Sequence, residues 1–276
     1  MIHKKYHLKD IYPFLGDNGC DPVVTTYIND ADEKWASSLT PRPAMLILPG
    51  GGYGNVSPRE AEPVAINFQR FGYNVFVLTY STKPHHYPTA IREVAGAMEL
   101  IYATAGEWNT DISRVAIMGF SAGGHLACHY SNSYASPEVR QVFPDSKPVQ
   151  AAVLAYPVIS GDPAHRHNGS FVNLSGHAVP TEEDIEKFSL QNLVTENTPP
   201  TFLWHTRTDN LVPVINSLLY AQALALKDVP FSLHVYPFGK HGLSTVDAYT
   251  CVDLDQNSVP AHDWIEDCHT WLTMTL

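Results

Sequence analysis

The sequence predicts an α/β fold in which helices cover both faces of a central, mostly parallel sheet. Apolar, β-branched segments alternate with segments of helical periodicity along most of the chain. Because parallel neighbours need a long crossover, usually a helix, this alternation is typical of parallel sheets. A G-x-S-x-G motif also joins one apolar segment directly to a helix. The predicted strands lie near residues 45–48, 75–80, 115–119, 151–156, 201–205 and 231–236.

Further elements are predicted near the two ends of the chain and in its middle. The β-branched run at residues 23–28 indicates that the first forty residues form a pair of antiparallel strands at a sheet edge. Apolar residues at helical spacing predict a helix from Thr89 to about Ala105 and a final helix from about Pro260.

A helix is also expected after a glycine-rich segment in the first quarter of the chain. Ser57 fits its N-cap, Pro58 its first position and Glu60 its third position, while Gly72 would end it. This pattern assigns the Glu60 carboxylate to the N-terminus of its own helix.

The chain length fits a single enzyme domain over residues 1–276, and 44% hydrophobic residues are ample for its core. Residues 160–200 interrupt the strand–helix alternation with turn-forming and polar residues, which predicts a small cap insertion over the site. A surface connection without a role is the alternative. Asp184 and Glu186, within this insertion, are expected to be solvated.

The formal net charge of −11 argues against nucleic acid or an anionic membrane surface as the main partner. No apolar run approaches the roughly 20 residues of a membrane span, and the N-terminus lacks the apolar core of a signal peptide. Four cysteines without C-x-x-C spacing indicate reduced thiols and a cytoplasmic protein. The oligomeric state is left open, with a homodimer as one option.

No metal or cofactor is expected from the sequence. His85-His86 and the His-Arg-His run at residues 165–167 lack a cysteine or carboxylate pattern around them. Adjacent histidines also point in different directions, so these pairs do not predict a metal site.

The most informative motif is Gly119-Phe120-Ser121-Ala122-Gly123. An apolar strand precedes it and a helix follows it, which is the context of a nucleophile elbow. In such an elbow the small residues allow a sharp turn, and the helix N-terminus directs N–H groups towards the serine. Ser121 is therefore the predicted nucleophile.

A serine nucleophile needs a base and a carboxylate that orients the base, and in this architecture the chain order is Ser, then Asp or Glu, then His. Asp209 follows a predicted strand at its carboxyl end, where an open α/β sheet places its site. His241 follows the next strand, on a loop with two glycines. Asp247 and Asp253 follow His241 and so break the order.

Fourteen histidines make the choice of base depend on position. His205 lies at a strand end and is expected to pack or to form hydrogen bonds rather than to act as the base. The remaining alternatives lie within predicted strands or helices: His125, His129, His234, His262 and His269.

An oxyanion hole is predicted after the strand at residues 45–48. Gly50, Gly51 and Gly52 expose backbone N–H groups without a Cβ that would block a substrate carbonyl. Glycine runs also bind phosphates, but neither nucleotide-binding glycine motif is present. The Ala122 N–H, directly after the nucleophile, is expected to be a further donor.

These motifs together resemble the α/β-hydrolase esterases, and within them the small acetyl and feruloyl esterases of carbohydrates, often labelled endoxylanase-like and related to the hormone-sensitive-lipase group. The resemblance covers nearly the whole chain from about Ala44 onward. The segments that carry it are Pro49–Tyr53, Ser57–Glu60, Gly119–His125, Asp209-x-x-Val212-Pro213 and His241-Gly242.

The resemblance implies an α/β-hydrolase fold and a catalytic triad of Ser121, Asp209 and His241. It implies that Gly51, Gly52 and Ala122 donate to the oxyanion. The chain departs from the wider lipase-like group at Pro49, where that group has histidine. Which two of the three glycines donate, and how their loop is anchored, therefore stays open.

The expected activity is that of a serine carboxylesterase acting on a small ester with a short acyl chain, and acetyl groups on carbohydrates are one candidate. The insertion is short and no large apolar lid is visible, which favours short acyl groups over those of long-chain lipases. Alternatives are a lipase with longer-chain preference, a serine peptidase of the prolyl-oligopeptidase type, and a binding protein that retains the fold. Tyr53, Phe120 and His125 are candidates to line the acyl or alcohol pocket.

Overall fold

The structure of the chain is a computed structural model that describes residues 1–30, 40–251 and 256–276. Within these residues one sheet has the strand order β1-β2-β4-β3-β5-β6-β7-β8. The pairs β1–β2 and β2–β4 are antiparallel and the remaining neighbours are parallel. The strands are β1 Lys5–His7, β2 Val23–Tyr27, β3 Arg42–Leu48, β4 Asn74–Thr79, β5 Thr110–Phe120, β6 Ala151–Ala155, β7 Thr201–Thr206 and β8 Phe231–Tyr236.

Helices cover the sheet on both faces, as the alternation of elements predicts. One face carries a hydrophobic cluster that includes Val94, Leu126 and Tyr220, and the other a cluster that includes Phe68 and Trp264. The helices are α1 Leu8–Ile11, α2 Glu62–Arg70, α3 Thr89–Ala103, α4 Ala122–Ser133, α5 Pro137–Arg140, α6 Asn168–Ser175, α7 Glu182–Phe188, α8 Ile215–Leu226 and α9 Trp264–Thr275.

The predicted fold class and the antiparallel pair at the sheet edge are confirmed. The carboxyl ends of β3 to β8 meet at one edge of the sheet, and the loops that follow them form the site. The final helix begins at Trp264 rather than near Pro260, because a 3₁₀ segment over Gln256–Asp263 precedes it. Asp253, excluded above by chain order, lies outside the described residues.

The helix predicted from Ser57 is divided in two. A 3₁₀ turn covers Pro58–Glu60, the backbone breaks at Ala61 with φ −104° and ψ −103°, and α2 begins at Glu62. The Ser57 side chain makes no capping hydrogen bond. The buried Glu60 carboxylate binds the backbone N–H of Gly50 instead of its own helix. The predicted cap is therefore wrong.

Residues 160–200 lie between β6 and β7 and contain α6, α7 and a 3₁₀ turn at Leu190–Leu193. Helix α7 begins with a capping box in which Asp184 N–H donates to Thr181 Oγ1 at 3.1 Å and Thr181 N–H donates to Asp184 Oδ2 at 2.8 Å. Asp184 is only 8% exposed. The expectation that it is solvated is wrong, because its carboxylate accepts the backbone N–H of the N-cap residue, Thr181.

The four cysteines, Cys20, Cys128, Cys251 and Cys268, are buried and free. Over the described residues, no helix combines the length and apolar character needed to cross a membrane.

Candidate active site

The elbow lies where β5 meets α4. Ser121 adopts φ 53° and ψ −118°, and α4 begins at the next residue. A Cβ at Gly119 would lie 2.2 Å from the Gly123 carbonyl oxygen, and a Cβ at Gly123 would lie 2.1 Å from the Leu48 carbonyl oxygen. Since neither approach leaves space for a methyl group, both motif glycines are required for the turn. A positive φ at a non-glycine residue of this kind is strain held by the surrounding fold.

Three side chains predicted as the triad are brought into hydrogen-bonding contact. His241 Nε2 lies 2.8 Å from Ser121 Oγ, and His241 Nδ1 lies 2.6 Å from Asp209 Oδ2. A carboxylate only accepts hydrogen bonds, so Nδ1 carries the proton and donates to Asp209. Nε2 is then free to accept the Ser121 hydroxyl proton.

Asp209 is held in its ionised form by several donors. Its Oδ1 accepts the backbone N–H groups of Leu211 and Val212, each at 2.9 Å. Burial by itself would raise the pKa of the Asp209 carboxyl, but hydrogen bonds from His205 and His241 outweigh it and hold that pKa well below its usual range. The carboxylate therefore stays negative beside the His241 ring.

His205 has the hydrogen-bonding role expected from its position. It is fully buried, its Nε2 lies 2.9 Å from the Val212 carbonyl oxygen and its Nδ1 lies 2.8 Å from Ser217 Oγ. Its Nε2 also lies 3.4 Å from Asp209 Oδ2. His205 thus fixes the loop that carries Asp209 and does not contact Ser121.

The glycine loop after β3 faces the elbow. Gly51 has φ 131° and Gly52 has φ 64°, conformations that favour glycine. The Gly50 N–H donates to Glu60 Oε2 at 2.8 Å, so it is already used. The N–H groups of Gly51, Gly52 and Ala122 have no hydrogen-bond acceptor among the described residues. Of the three glycines, this leaves Gly51 and Gly52 to meet a substrate oxygen.

Glu60 anchors this loop, a role that the sequence pattern does not reveal. Its second carboxylate oxygen, Oε1, accepts the Tyr156 hydroxyl proton at 2.7 Å, and the Tyr156 hydroxyl accepts the Ser244 N–H at 3.0 Å. A buried negative charge is costly unless its oxygens are hydrogen-bonded. The carboxylate thereby joins the glycine loop to the segment that follows His241. In the sequence, the one sign of this anchoring role is the place of Glu60 in the Ser57–Glu60 segment that carries the family resemblance.

Pro49, at the position where the sequence departs from the wider lipase-like group, is held by a tyrosine. Its carbonyl oxygen accepts the Tyr80 hydroxyl proton at 2.7 Å. The Gly52 carbonyl oxygen accepts from the Asn173 amide at 2.9 Å. The Tyr80 and Asn173 side chains therefore anchor the glycine loop, which answers the question that the sequence left open.

The three residues predicted to line the pocket lie in the core. Tyr53 Oη donates to His125 Nδ1 at 2.9 Å, and His125 Nε2 donates to the Phe188 carbonyl oxygen at 3.0 Å. Burial lowers the pKa of His125 to about 4, so its ring is neutral at neutral pH. Phe120 is fully buried against Tyr156. None of the three belongs to the described lining of the cavity above Ser121.

That cavity has a volume of about 360 Å³. Its lining combines Ser121 and His241 with glycines and polar groups. The lining residues are Gly51, Gly52, Asn55, Ser57, Arg59, Glu60, Ser121, His167, Leu211, His241 and Gly242. Among the residues that the structure describes, no group of three or more His, Cys, Asp or Glu side chains is arranged to hold a metal ion.

Comparison with known families identifies the chain. Residues 36–224, more than half of its length, match the family model described as BD-FAE. The chain belongs to the BD-FAE family. The solved structures most similar to this BD-FAE protein include an acetyl ester-xyloside bifunctional hydrolase from Caldicellulosiruptor lactoaceticus, with a TM-score of 0.82, 32% identity and coverage of 98% of this chain and 96% of that one. The carboxylesterase Cest-2923 from Lactobacillus plantarum has a TM-score of 0.84 at 28% identity, covering 99% and 98% of the two chains.

Curated relatives of the BD-FAE protein are longer than this chain. Endo-1,4-beta-xylanase B of Butyrivibrio fibrisolvens is 36% identical over 86% of this chain and 37% of its own length. The acetylxylan esterase of Xylanibacter ruminicola is 33% identical over 72% of this chain and 40% of its own length. The chain thus spans about two fifths of these relatives. The predicted resemblance and the α/β-hydrolase fold are confirmed.

Replacing Glu60 with glutamine is expected to lower kcat roughly 10- to 100-fold while KM changes less than threefold, since a small displacement of a catalytic group has costs of this order. The amide cannot accept both the Gly50 N–H and the Tyr156 hydroxyl proton as the carboxylate does. Steady-state kinetics with p-nitrophenyl acetate measure both constants. A rise in KM at unchanged kcat would show that Glu60 serves substrate binding instead.

Proposed function

We propose that this chain is a serine carboxylesterase that hydrolyses short-chain acyl esters, in particular acetyl groups on carbohydrates, through an acyl-enzyme intermediate. The observation that carries the proposal is the continuous hydrogen-bond chain from Ser121 through His241 to Asp209. Ser121 and His241 line the same cavity as Gly51 and Gly52, whose N–H groups are unused. The proposed nucleophile, its base and two oxyanion donors therefore line one cavity, and the orienting carboxylate contacts the base.

In the proposed reaction, Ser121 Oγ attacks the ester carbonyl carbon while His241 Nε2 takes its proton. The carbonyl oxygen becomes negative and is stabilised by the N–H groups of Gly51, Gly52 and Ala122. His241, now positively charged beside Asp209, gives its proton to the leaving alcohol as the ester bond breaks. Water then loses a proton to His241 and attacks the acyl carbonyl carbon; as the bond to Ser121 Oγ breaks, His241 returns this proton to Oγ, which releases the acid and restores Ser121.

The cavity supports a short acyl group. Among its described lining residues, Leu211 is the one large aliphatic side chain, and the others are glycines, polar groups or charged groups. A long alkyl chain would gain about 0.8 kcal/mol for each methylene it buried against apolar surface, and this lining offers little such surface. The acetyl-hydrolase and acetylxylan esterase named among the relatives favour acetyl groups on a carbohydrate.

We further propose that residues 1–276 form a single domain and that residues 160–200 act as a small cap. His167 lines the cavity, and Asn173 binds the Gly52 carbonyl oxygen. The Phe188 carbonyl oxygen binds His125 beneath the elbow. These contacts support a segment that shapes the site rather than a surface connection without a role.

A panel of p-nitrophenyl esters from acetate to decanoate tests the acyl preference. We expect kcat/KM to be highest from acetate to butanoate and to fall steeply by octanoate, because the additional methylenes find no buried apolar surface. Acetylated xylan and a feruloyl ester in the same panel test the alcohol and the acyl group separately. An increase in kcat/KM along the series up to decanoate would contradict the short-acyl proposal and favour a lipase.

Cytoplasmic location and a homodimer also remain proposals. Sedimentation velocity of the purified chain and fractionation of the source cells address them directly.

A further inference from the structure

A second, larger cavity lies beside the catalytic one. It has a volume of about 500 Å³, within the usual range of ligand-binding sites. Arg59 belongs to the lining of both cavities, so the two are neighbours across one side chain. We call the second cavity the side groove. Its lining residues are Thr25, Tyr27, Pro58, Arg59, Ala61, Glu62, Pro63, Val77, Thr79, Tyr249 and Thr250.

The side groove is rich in hydroxyl groups and electrically balanced. Five of its lining residues carry a hydroxyl, one a guanidinium group and one a carboxylate. The Glu62 carboxylate accepts the Tyr27 hydroxyl proton at 3.1 Å, and one Arg59 N–H group donates to the Thr250 carbonyl oxygen at 3.1 Å. Thr25, Thr79 and Tyr249 are not buried, and a hydrocarbon chain laid against them would desolvate their hydroxyl groups without pairing them, which is unfavourable. A neutral ligand with many hydroxyl groups matches this lining.

The groove also offers an aromatic ring. Tyr249 is 79% exposed, although it is a large residue beside a cavity. Tyrosine presents an apolar ring face together with a polar tip, which suits a ligand with both C–H faces and hydroxyl groups. An extended peptide is a poorer match, since β2, at the floor of the groove, is paired on one side with β1 and on the other with β4. Its backbone has no free edge for an added strand.

We propose that the side groove binds the carbohydrate chain that carries the ester. An acetylated residue lies at Ser121, and the neighbouring unesterified sugar residues extend past Arg59 towards Tyr249. The occupant is a neutral oligosaccharide. This inference rests on the proposed function and adds to it the place where the alcohol portion of the substrate is held.

Binding of an unesterified oligosaccharide tests the inference without turnover. In a Ser121→Ala background, xylotetraose is titrated into the full chain and the dissociation constant is measured by isothermal titration calorimetry. Tyr249→Ala in the same background is expected to weaken binding about fivefold or more, because truncating an aromatic anchor typically has a cost of this size. Tyr249→Phe, which keeps the ring, is expected to stay within about twofold of the parent.

Phe231→Ala is the matched control, since Phe231 is an exposed aromatic residue on β8, at the opposite end of the sheet from β2. It should leave the dissociation constant unchanged. If thermal melting shows that Tyr249→Ala is unfolded, Thr25→Val replaces it, because it removes a groove hydroxyl at nearly constant volume, and we expect weakened binding there too.

The outcomes separate the two proposals. Equal weakening by Tyr249→Ala and Phe231→Ala, or no binding of xylotetraose at millimolar concentration, would overturn the side-groove inference. If the unmodified chain still hydrolyses p-nitrophenyl acetate in that case, the proposed esterase function stands. Absence of any ester hydrolysis combined with intact oligosaccharide binding would instead remove the esterase and keep a carbohydrate-binding groove.

Discussion

Replacing Ser121 with alanine is expected to lower kcat for p-nitrophenyl acetate by about 10⁴-fold or more, because triad members act as a unit and the hydroxyl is the proposed nucleophile. The fold should survive, since alanine is smaller than serine and the backbone N–H of Ser121 still donates to the Ala155 carbonyl oxygen. Active-site titration checks the prediction directly: the parent should release a burst of p-nitrophenol, and the variant should release none.

Ser133→Ala is a suitable control because Ser133 lies at the end of the same helix, α4, as the elbow. It should change kcat less than twofold and melt close to the parent temperature. A burst of normal amplitude from Ser121→Ala would show that another residue forms the acyl-enzyme. The proposed mechanism would then be wrong.

The second large effect is expected for Asp209→Asn, with kcat lowered on the order of 10³- to 10⁴-fold. In the unsubstituted protein, His241 Nδ1–H donates a hydrogen bond to Asp209 Oδ2 at 2.6 Å, and this fixes the tautomer that leaves Nε2 free to accept from Ser121. An asparagine that presents its amide N–H groups to the ring would favour the opposite tautomer. It also removes the negative charge that stabilises the positively charged imidazolium.

Asp111→Asn provides the matched control, because Asp111 lies at the start of β5, far along that strand from the elbow, where it pairs with Arg114. Its kcat should remain within twofold of the parent. A loss of less than tenfold in Asp209→Asn would indicate that another group orients His241. The proton of His241 can be followed by its downfield ¹H NMR signal, which should move in Asp209→Asn and stay in place in Asp111→Asn.

Much of the fold and the arrangement of the triad side chains can be predicted from the sequence, because the sequence shows where each strand ends and which residues follow it. Parallel strands bring their carboxyl ends to one edge, so residues after β5, β7 and β8 meet although they are distant in the chain. Asp209 and His241 each follow such a strand directly. Chain order then distinguished His241 from the other histidines.

The role of Glu60 could not be derived in the same way. Three residues after Ser57, a glutamate satisfies the local pattern of a capping box, and nothing nearby contradicts that interpretation. Only the three-dimensional approach of Gly50 gives the carboxylate a better donor. A local pattern predicts local partners, while this carboxylate binds groups 10 and 96 residues away.

Tyr53 and His125 show a second limit of prediction from the sequence. Side chains with an apolar ring and a polar tip serve equally well in a pocket lining and in a hydrogen-bonded core. The sequence places both residues near the elbow but does not show on which side of the backbone they lie. In the structure both side chains are buried, and the Tyr53 hydroxyl donates a hydrogen bond to His125 Nδ1.

The bonds from Asn173 to Gly52 and from His125 to Phe188 have a consequence for redesigning the proposed esterase. Replacing residues 160–200 with another segment would remove one contact to the glycine loop and one contact to α4. A graft that keeps an amide at position 173 and a backbone carbonyl in the place of that of Phe188 should retain turnover, whereas one chosen for pocket shape alone should lose it.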